Sequence, residues 1–199
     1  MTTFVLASAS PARLSTLQQA GVDPVVIVSG VDESQVVGLP AAELALQLAE
    51  LKCAAVAGRD DLPPDAVVLG CDSVLELDGA VLGKPDDAAD ALARWRSMRG
   101  RSGVLHSGHS LRDVTTGRVA AATASTVVHF ADLDDAEIAA YVATGEPLHV
   151  AGAFTVDGLG GPFVRAIEGD HHNVVGVSLP LLRELLAELG HRWVDLWRR

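Results

Sequence analysis

Short runs of Val, Leu and Ala that read as strands alternate with segments of helical period from one end of the chain to the other, and two strand pairs are joined by turns short enough to be hairpins. That alternation constrains the fold more than any other feature. Residues 4–7 read as a strand, and Ser10-Pro11 then offers an N-cap and a first-turn proline for a helix ending at Gly21. Residues 25–29 read as a second strand. From Pro40 to Gly58, Leu44, Leu48, Leu51 and Ala55 recur at helical spacing and predict one buried stripe. Residues 67–71 form a buried-strand run, followed by 74–77, an Asp78-Gly79 turn and 80–82, a hairpin pattern.

Asp86 or Asp87 can cap a helix carrying Ala91, Leu92, Trp95 and Met98, which Gly100 would end. A second hairpin pairs about 103–113 with 118–130 around Thr115-Thr116-Gly117, and residues 134–144 read as another helix. The glycine-rich stretch 151–176 predicts strands and loops, and 178–189 the last well-marked helix. Residues 191–199 carry two tryptophans and are expected to pack on the body as a terminal helix, since exposed tryptophans are unusual. Alternation with embedded hairpins predicts an α/β fold: a mixed sheet with flanking helices, in one domain over residues 1–199.

Composition narrows the function. With a net charge of -11 and only 4% aromatic residues, the chain lacks both the basic surface and the stacking platforms that nucleic acid polymers need. Anionic lipid is disfavoured likewise. No uncharged stretch approaches the ~18 residues that span a bilayer, and no basic residue precedes the short apolar run at the start. Cys53 and Cys71 lie in no CxxC or His/Cys cluster, which fits a reducing compartment. A cytoplasmic, unprocessed protein is expected.

Thirteen arginines stand against two lysines, Lys52 and Lys84. A compact ammonium suits a site that bridges phosphate oxygens and carboxylates where a flat guanidinium does not fit, so both lysines are candidate catalytic residues. Lys84 follows Gly79 and Gly83, but three residues separate those glycines where a P-loop has four, and Pro85 follows where Ser or Thr is required. Asp72 ends an apolar run, where an ionised carboxylate needs a cation or a metal beside it; it can orient a water for attack on phosphorus, or hold a divalent metal. Glu33 is a second acid just beyond a strand, and Asp32 beside it suits a turn. In the Ala7-Ser8-Ala9-Ser10-Pro11 loop, small residues let backbone N–H groups and the hydroxyls of Ser8 and Ser10 converge on an anion, with Arg13 in reach. An aspartyl-phosphate phosphatase would need a second Asp at position 74, which is Val74.

Taken in order, LASASPARL, VDES, LGCDSV, LGKP, GEPLHVAGAFTVDGLGG and NVVGVSLPLL resemble the Maf family of nucleotide pyrophosphatases over residues 4–190. The resemblance implies an elongated fold with two lobes around a central cleft, a homodimer, a divalent cation (Mg²⁺ or Mn²⁺), and hydrolysis of a nucleoside triphosphate between its α and β phosphates. Carried over by motif, Asp72 would accept the proton, Lys52 and Lys84 would act with it, Ser8 and Arg13 would bind the triphosphate, and Glu33 would join Asp72 at the metal. Housecleaning of modified nucleotides fits the same resemblance; a regulator of septum formation that senses nucleotides without turnover is the alternative.

Several positions depart from the family pattern. Ala12-Arg13 stands where many members have two arginines, and Gly103 replaces a frequent histidine. His149-Val150 stands in place of Asp-Lys and resembles the subgroup similar to 7-methyl-GTP pyrophosphatases, whereas Ser73 resembles the threonine of members acting on dTTP and UTP. Those same members carry glutamine at the place of Asp157, whose carboxylate can instead accept from a guanine edge.

Overall fold

The computed structural model describes residues 2–198. Seven strands form one sheet in the order β2-β1-β3-β5-β6-β7, with β4 paired to β3 beside β1. β1 (Thr3–Ala7) runs parallel to β2 (Val25–Val26) and to β3 (Ala66–Leu77), while β4 (Ala80–Leu82), β5 (Ser102–Asp113), β6 (Val119–Phe130) and β7 (Val164–Glu168) join antiparallel. Helices α1 (Pro11–Gln19), α2 (Ala41–Ala57), α3 (Ala88–Met98), α4 (Asp135–Ala143), α5 (His171–Val175) and α6 (Leu179–Leu189) flank it, giving the expected mixed α/β architecture.

Local chemistry sets most boundaries. Ser10, Asp87, Asp134 and Ser178 each accept a backbone N–H of the following turn, and Asp134 completes a capping box with Glu137. Asp87, not Asp86, therefore caps α3. Asp78 and Gly79 both take positive φ in the β3–β4 hairpin, the geometry that makes Asp-Gly a turn of this kind.

Five expectations need correction, the last of them at the tail. The strand expected at 25–29 shrinks to Val25–Val26, because it pairs with β1 over two positions only. The runs 67–71 and 74–77 are one twelve-residue strand, held straight through Asp72 by continuous pairing with β5. The stretch 151–176 holds the helix α5 besides a strand and 3-10 turns. The buried stripe of α2 is rotated from the predicted one: Leu51 is exposed, and Ala41, Ala45, Leu48, Ala49, Lys52, Cys53 and Val56 face the sheet. Small residues hold that face because the helix lies almost on the strands, where a Cβ at Gly70 or Gly108 would fall 2.1 Å from a carbonyl oxygen of α2.

The tail is a 3-10 turn, Trp193–Leu196, not an α-helix. Leu196 is buried in the core with Trp193 packed against it, Val22 pairs with Trp197, and Arg199 lies outside the described residues.

The face of the sheet opposite α2 carries two apolar cores. One gathers Leu6, Leu17, Leu69, Leu111, Leu182 and Leu186 under α1 and α6; the other gathers Leu75, Trp95, Met98, Phe130, Ile138 and Tyr141 under α3 and α4. Between them along β3 and β5 stand the polar residues Ser73, Ser107 and His109. Two apolar cores thus share one sheet.

Candidate active site

The pairing along one edge of β3 is interrupted. β1 covers it up to Gly70 and β4 resumes at Leu75, so residues 71–74 have no strand neighbour on the side away from β5. A cleft of about 1290 Å³ opens at this gap, and Ser8, Arg13, Glu33, Lys52, Asp72, Ser73, Lys84 and Asp157 all line it. Every residue singled out from sequence thus reaches one cavity, including both lysines of the chain.

Strand alternation sorts these groups into two clusters. Asp72 points to the α2 face, where its Oδ1 lies 2.5 Å from Lys52 Nζ; the same Nζ lies 2.7 Å from Glu33 Oε1. Asp72 and Lys52 are each 8% exposed, whereas the Glu33 side chain is 53% exposed and reaches in from the 3-10 turn Glu33–Gln35. Asp32 starts that turn by accepting from Ser34 N, and this and its side-chain bonds from Ser34 and Gln35 hold its carboxyl below the usual carboxylate range. Among the described residues Asp72 Oδ2 has no hydrogen-bond partner, so it remains free to accept.

Ser73 points the other way, into the band between the two cores. Its Oγ lies 2.8 Å from Ser107 Oγ and accepts from Arg13 Nη2 at 3.0 Å. Arg13 is a brace: Nη1 donates to Ser8 Oγ at 3.0 Å and Nε to Gly176 O at 2.8 Å, so each guanidinium nitrogen is engaged and two of its five N–H groups remain. Both serines of that loop line the cleft; the hydroxyl of Ser10 accepts at the cap of α1, while that of Ser8 meets the Arg13 guanidinium.

Lys84 is exposed and its ammonium has no carboxylate partner among the described residues. It enters the cleft from the turn after β4. Asp157 and His149 are exposed and also line the cleft.

The carboxylates Asp72 and Glu33 are hard oxygen donors gathered at one point, without His or Cys, and Mg²⁺ or Mn²⁺ commonly takes one or two carboxylates with its remaining ligands from phosphate and water. Among the described residues no group of three or more His, Cys, Asp or Glu is arranged to hold a metal alone. The donor set fits a cation that arrives with a polyphosphate.

Sequence reasoning passed over Glu146, which also lines the cleft. It accepts from Thr155 Oγ1 at 2.5 Å, from Tyr141 Oη at 3.1 Å, and from the backbone N–H of Leu159 and Gly160, each at 3.0 Å, and so grips the loop that carries Asp157. Burial pushes its carboxyl up, but the bonds from Thr155, Leu159 and Gly160 outweigh this and hold it below its ordinary value. Its one signal was its place in the motif GEPLHVAGAF.

The Maf-like protein family model matches residues 3–189. A nucleoside triphosphate pyrophosphatase of Salinispora tropica is 66% identical over 198 residues, covering 98% of this chain and 88% of the relative. Proteins of the same name from Streptomyces coelicolor and Gloeothece citriformis are 60% and 49% identical, covering 98% of this chain and 94% and 98% of their own. With the family match spanning nearly the whole sheet and every strand that borders the cleft, the chain belongs to the Maf-like protein family.

Proposed function

We propose that the chain hydrolyses nucleoside triphosphates to the monophosphate and pyrophosphate, the activity in the names of its relatives. The observation that carries this reading is the convergence of both lysines on one cleft, with Lys52 bridging Asp72 and Glu33 at 2.5 and 2.7 Å.

A divalent cation, Mg²⁺ or Mn²⁺, held by Asp72 and Glu33 with phosphate oxygens would supply charge neutralisation at the α-phosphate. Asp72 Oδ2 accepts a proton as the water oxygen bonds to the α-phosphorus, and the bond from that phosphorus to the α–β bridging oxygen breaks. Pyrophosphate leaves with the bonding electrons. Lys52 fixes the Asp72 carboxylate through Oδ1, so that Oδ2 is presented to the cleft. Lys84, whose ammonium has no carboxylate partner among the described residues, would neutralise the leaving pyrophosphate, and Ser8 and the remaining N–H groups of Arg13 would bind phosphate oxygens. A homodimer in the cytoplasm, acting on free nucleotides and not on nucleic acid or membrane, completes the proposal; the buried free thiols of Cys53 and Cys71 suit a reducing compartment.

The test is pyrophosphate release from a panel of canonical and modified nucleoside triphosphates, with and without chelator. Asp72→Asn should lower turnover by ~10²–10⁴ while leaving secondary structure intact. Wild-type turnover in that variant overturns the assignment of Asp72. Tight nucleotide binding without release by the wild-type chain would favour the sensing role.

A further inference from the structure

Lys84 reaches into the cleft on a four-carbon stem whose ammonium has no carboxylate partner among the described residues, so its placement depends on the backbone beneath it. That backbone is gripped from α3. Arg94 Nη1 donates to Gly83 O at 2.7 Å and Nη2 to Lys84 O at 3.2 Å, a forked arrangement that a planar guanidinium makes and an ammonium does not. Arg94 is in turn paired with Asp90 Oδ2 at 2.7 Å, one helical turn earlier, and the same Oδ2 accepts from Asp86 N at 3.0 Å. The pair therefore holds the two carbonyls at Gly83 and Lys84 and the N–H of Asp86. Buried Pro85, with its fixed φ, lies between. Gly83 O also accepts from Gly152 N at 3.0 Å, which joins the turn to the segment that follows His149 and Val150, both of which line the cleft. Arg94 does not line the cleft, and its side chain is only 15% exposed.

We propose that Arg94, braced by Asp90, is a positioning residue that fixes Lys84 for the triphosphate; this rests on the role assigned above to Lys84. An ammonium acts on the transition state only where its distance is set in advance, and misplacement by about 1 Å from a substitution outside the chemistry can cost about 10²-fold. The Asp90–Arg94 bracket sets that distance.

The experiment is a double-mutant cycle on pyrophosphate release, with melting temperature followed in parallel. Arg94→Ala should lower kcat/KM by about 10- to 10²-fold. In a Lys84→Ala background the same change should alter it by less than about twofold, because the group it serves is gone. Arg94→Lys, which keeps the charge beside Asp90 but not the fork, should recover only part of the loss. A merely structural role would give losses that multiply in the double variant, and that result overturns the proposal. If Arg94→Ala does not fold, Asp90→Asn, which weakens the brace from the other side, is read in the same cycle by the same criterion. Full activity in Lys84→Ala alone would instead refute the role of Lys84, and the bracket with it.

Discussion

Gly108 stands directly across the β3–β5 ladder from Asp72, and its missing side chain is what lets α2 lie close enough for Lys52 to meet that carboxylate. A Cβ at Gly108 would fall 2.1 Å from Ala45 O and 2.5 Å from Leu46 N, both helix backbone, so no rotamer change relieves it. Gly108→Ala must push α2 outward and carry Lys52 with it. The expected result is a loss of about 1–3 kcal/mol in stability together with reduced pyrophosphate release, read by thermal melting and steady-state assay. Unchanged melting and turnover would mean that helix and sheet are not in such close contact.

Lys52 joins two carboxylates, one of them buried, through a single nitrogen. Lys52→Met leaves Asp72 as a nearly buried, unpaired anion and should cost roughly 3 kcal/mol, besides abolishing turnover. Lys52→Arg separates charge from shape. It keeps the cation but replaces a point donor with a plane that cannot sit between oxygens spaced for one nitrogen, so stability should largely return while kcat stays at least about tenfold down. Wild-type kcat in Lys52→Arg would show that charge alone is required.

Asp72, Lys84 and the serine loop were legible in the sequence because each combines an unusual residue with an unusual place: an acid on an apolar strand, one of two lysines, hydroxyls before a helix-starting proline. Caps and the Asp-Gly turn were legible because their chemistry is local. Arg94 was not, since one arginine among thirteen on an ordinary helix carries no mark until the chain brings Gly83 and Lys84 beneath it. The buried face of α2 was misread for a related reason: the larger leucines predict packing, but the strands beneath it at Gly70 and Gly108 select alanine. Nor can spacing along the chain show that β1 and β4 leave a gap on the same edge of β3, because that is a property of pairing.

Glu146 should make the wall that carries Asp157 sensitive to acid. Burial pushes its carboxyl up, but the bonds from Thr155, Leu159 and Gly160 together outweigh that push and hold it below its ordinary value. A group depressed on folding contributes its stability above the unfolded value, and that contribution is lost as pH falls through the folded one. Hydrogen exchange at Leu159 and Gly160 should therefore keep the same protection above the ordinary carboxylate range and lose it progressively as the pH falls below that range. Tyr141, with its hydroxyl pushed up to about 12, stays a donor throughout this range. Glu146→Gln removes the charged acceptor and should flatten the pH dependence; a wild-type profile in that variant would exclude Glu146 as its source.

Asp157 is exposed on the wall of the cleft, on a loop whose backbone Glu146 fixes. An ionised carboxylate only accepts, and its two oxygens can accept side by side. Guanine presents two adjacent donors on its pairing edge, N1–H and N2–H, whereas uracil and thymine present one N–H flanked by carbonyl oxygens that a carboxylate repels. Asp157 should therefore favour guanine nucleotides. Asp157→Asn exchanges one acceptor for a donor, which weakens the match to guanine and creates one to uracil or thymine, so the ratio of kcat/KM for GTP over UTP should fall by at least about tenfold, the scale set by leaving one polar group unpaired. In the proposed reaction the bond that breaks lies in the triphosphate and not at the base, so the variant should keep its summed activity across the panel while the ranking changes. An unchanged ranking would place the discrimination on His149 or elsewhere in the wall.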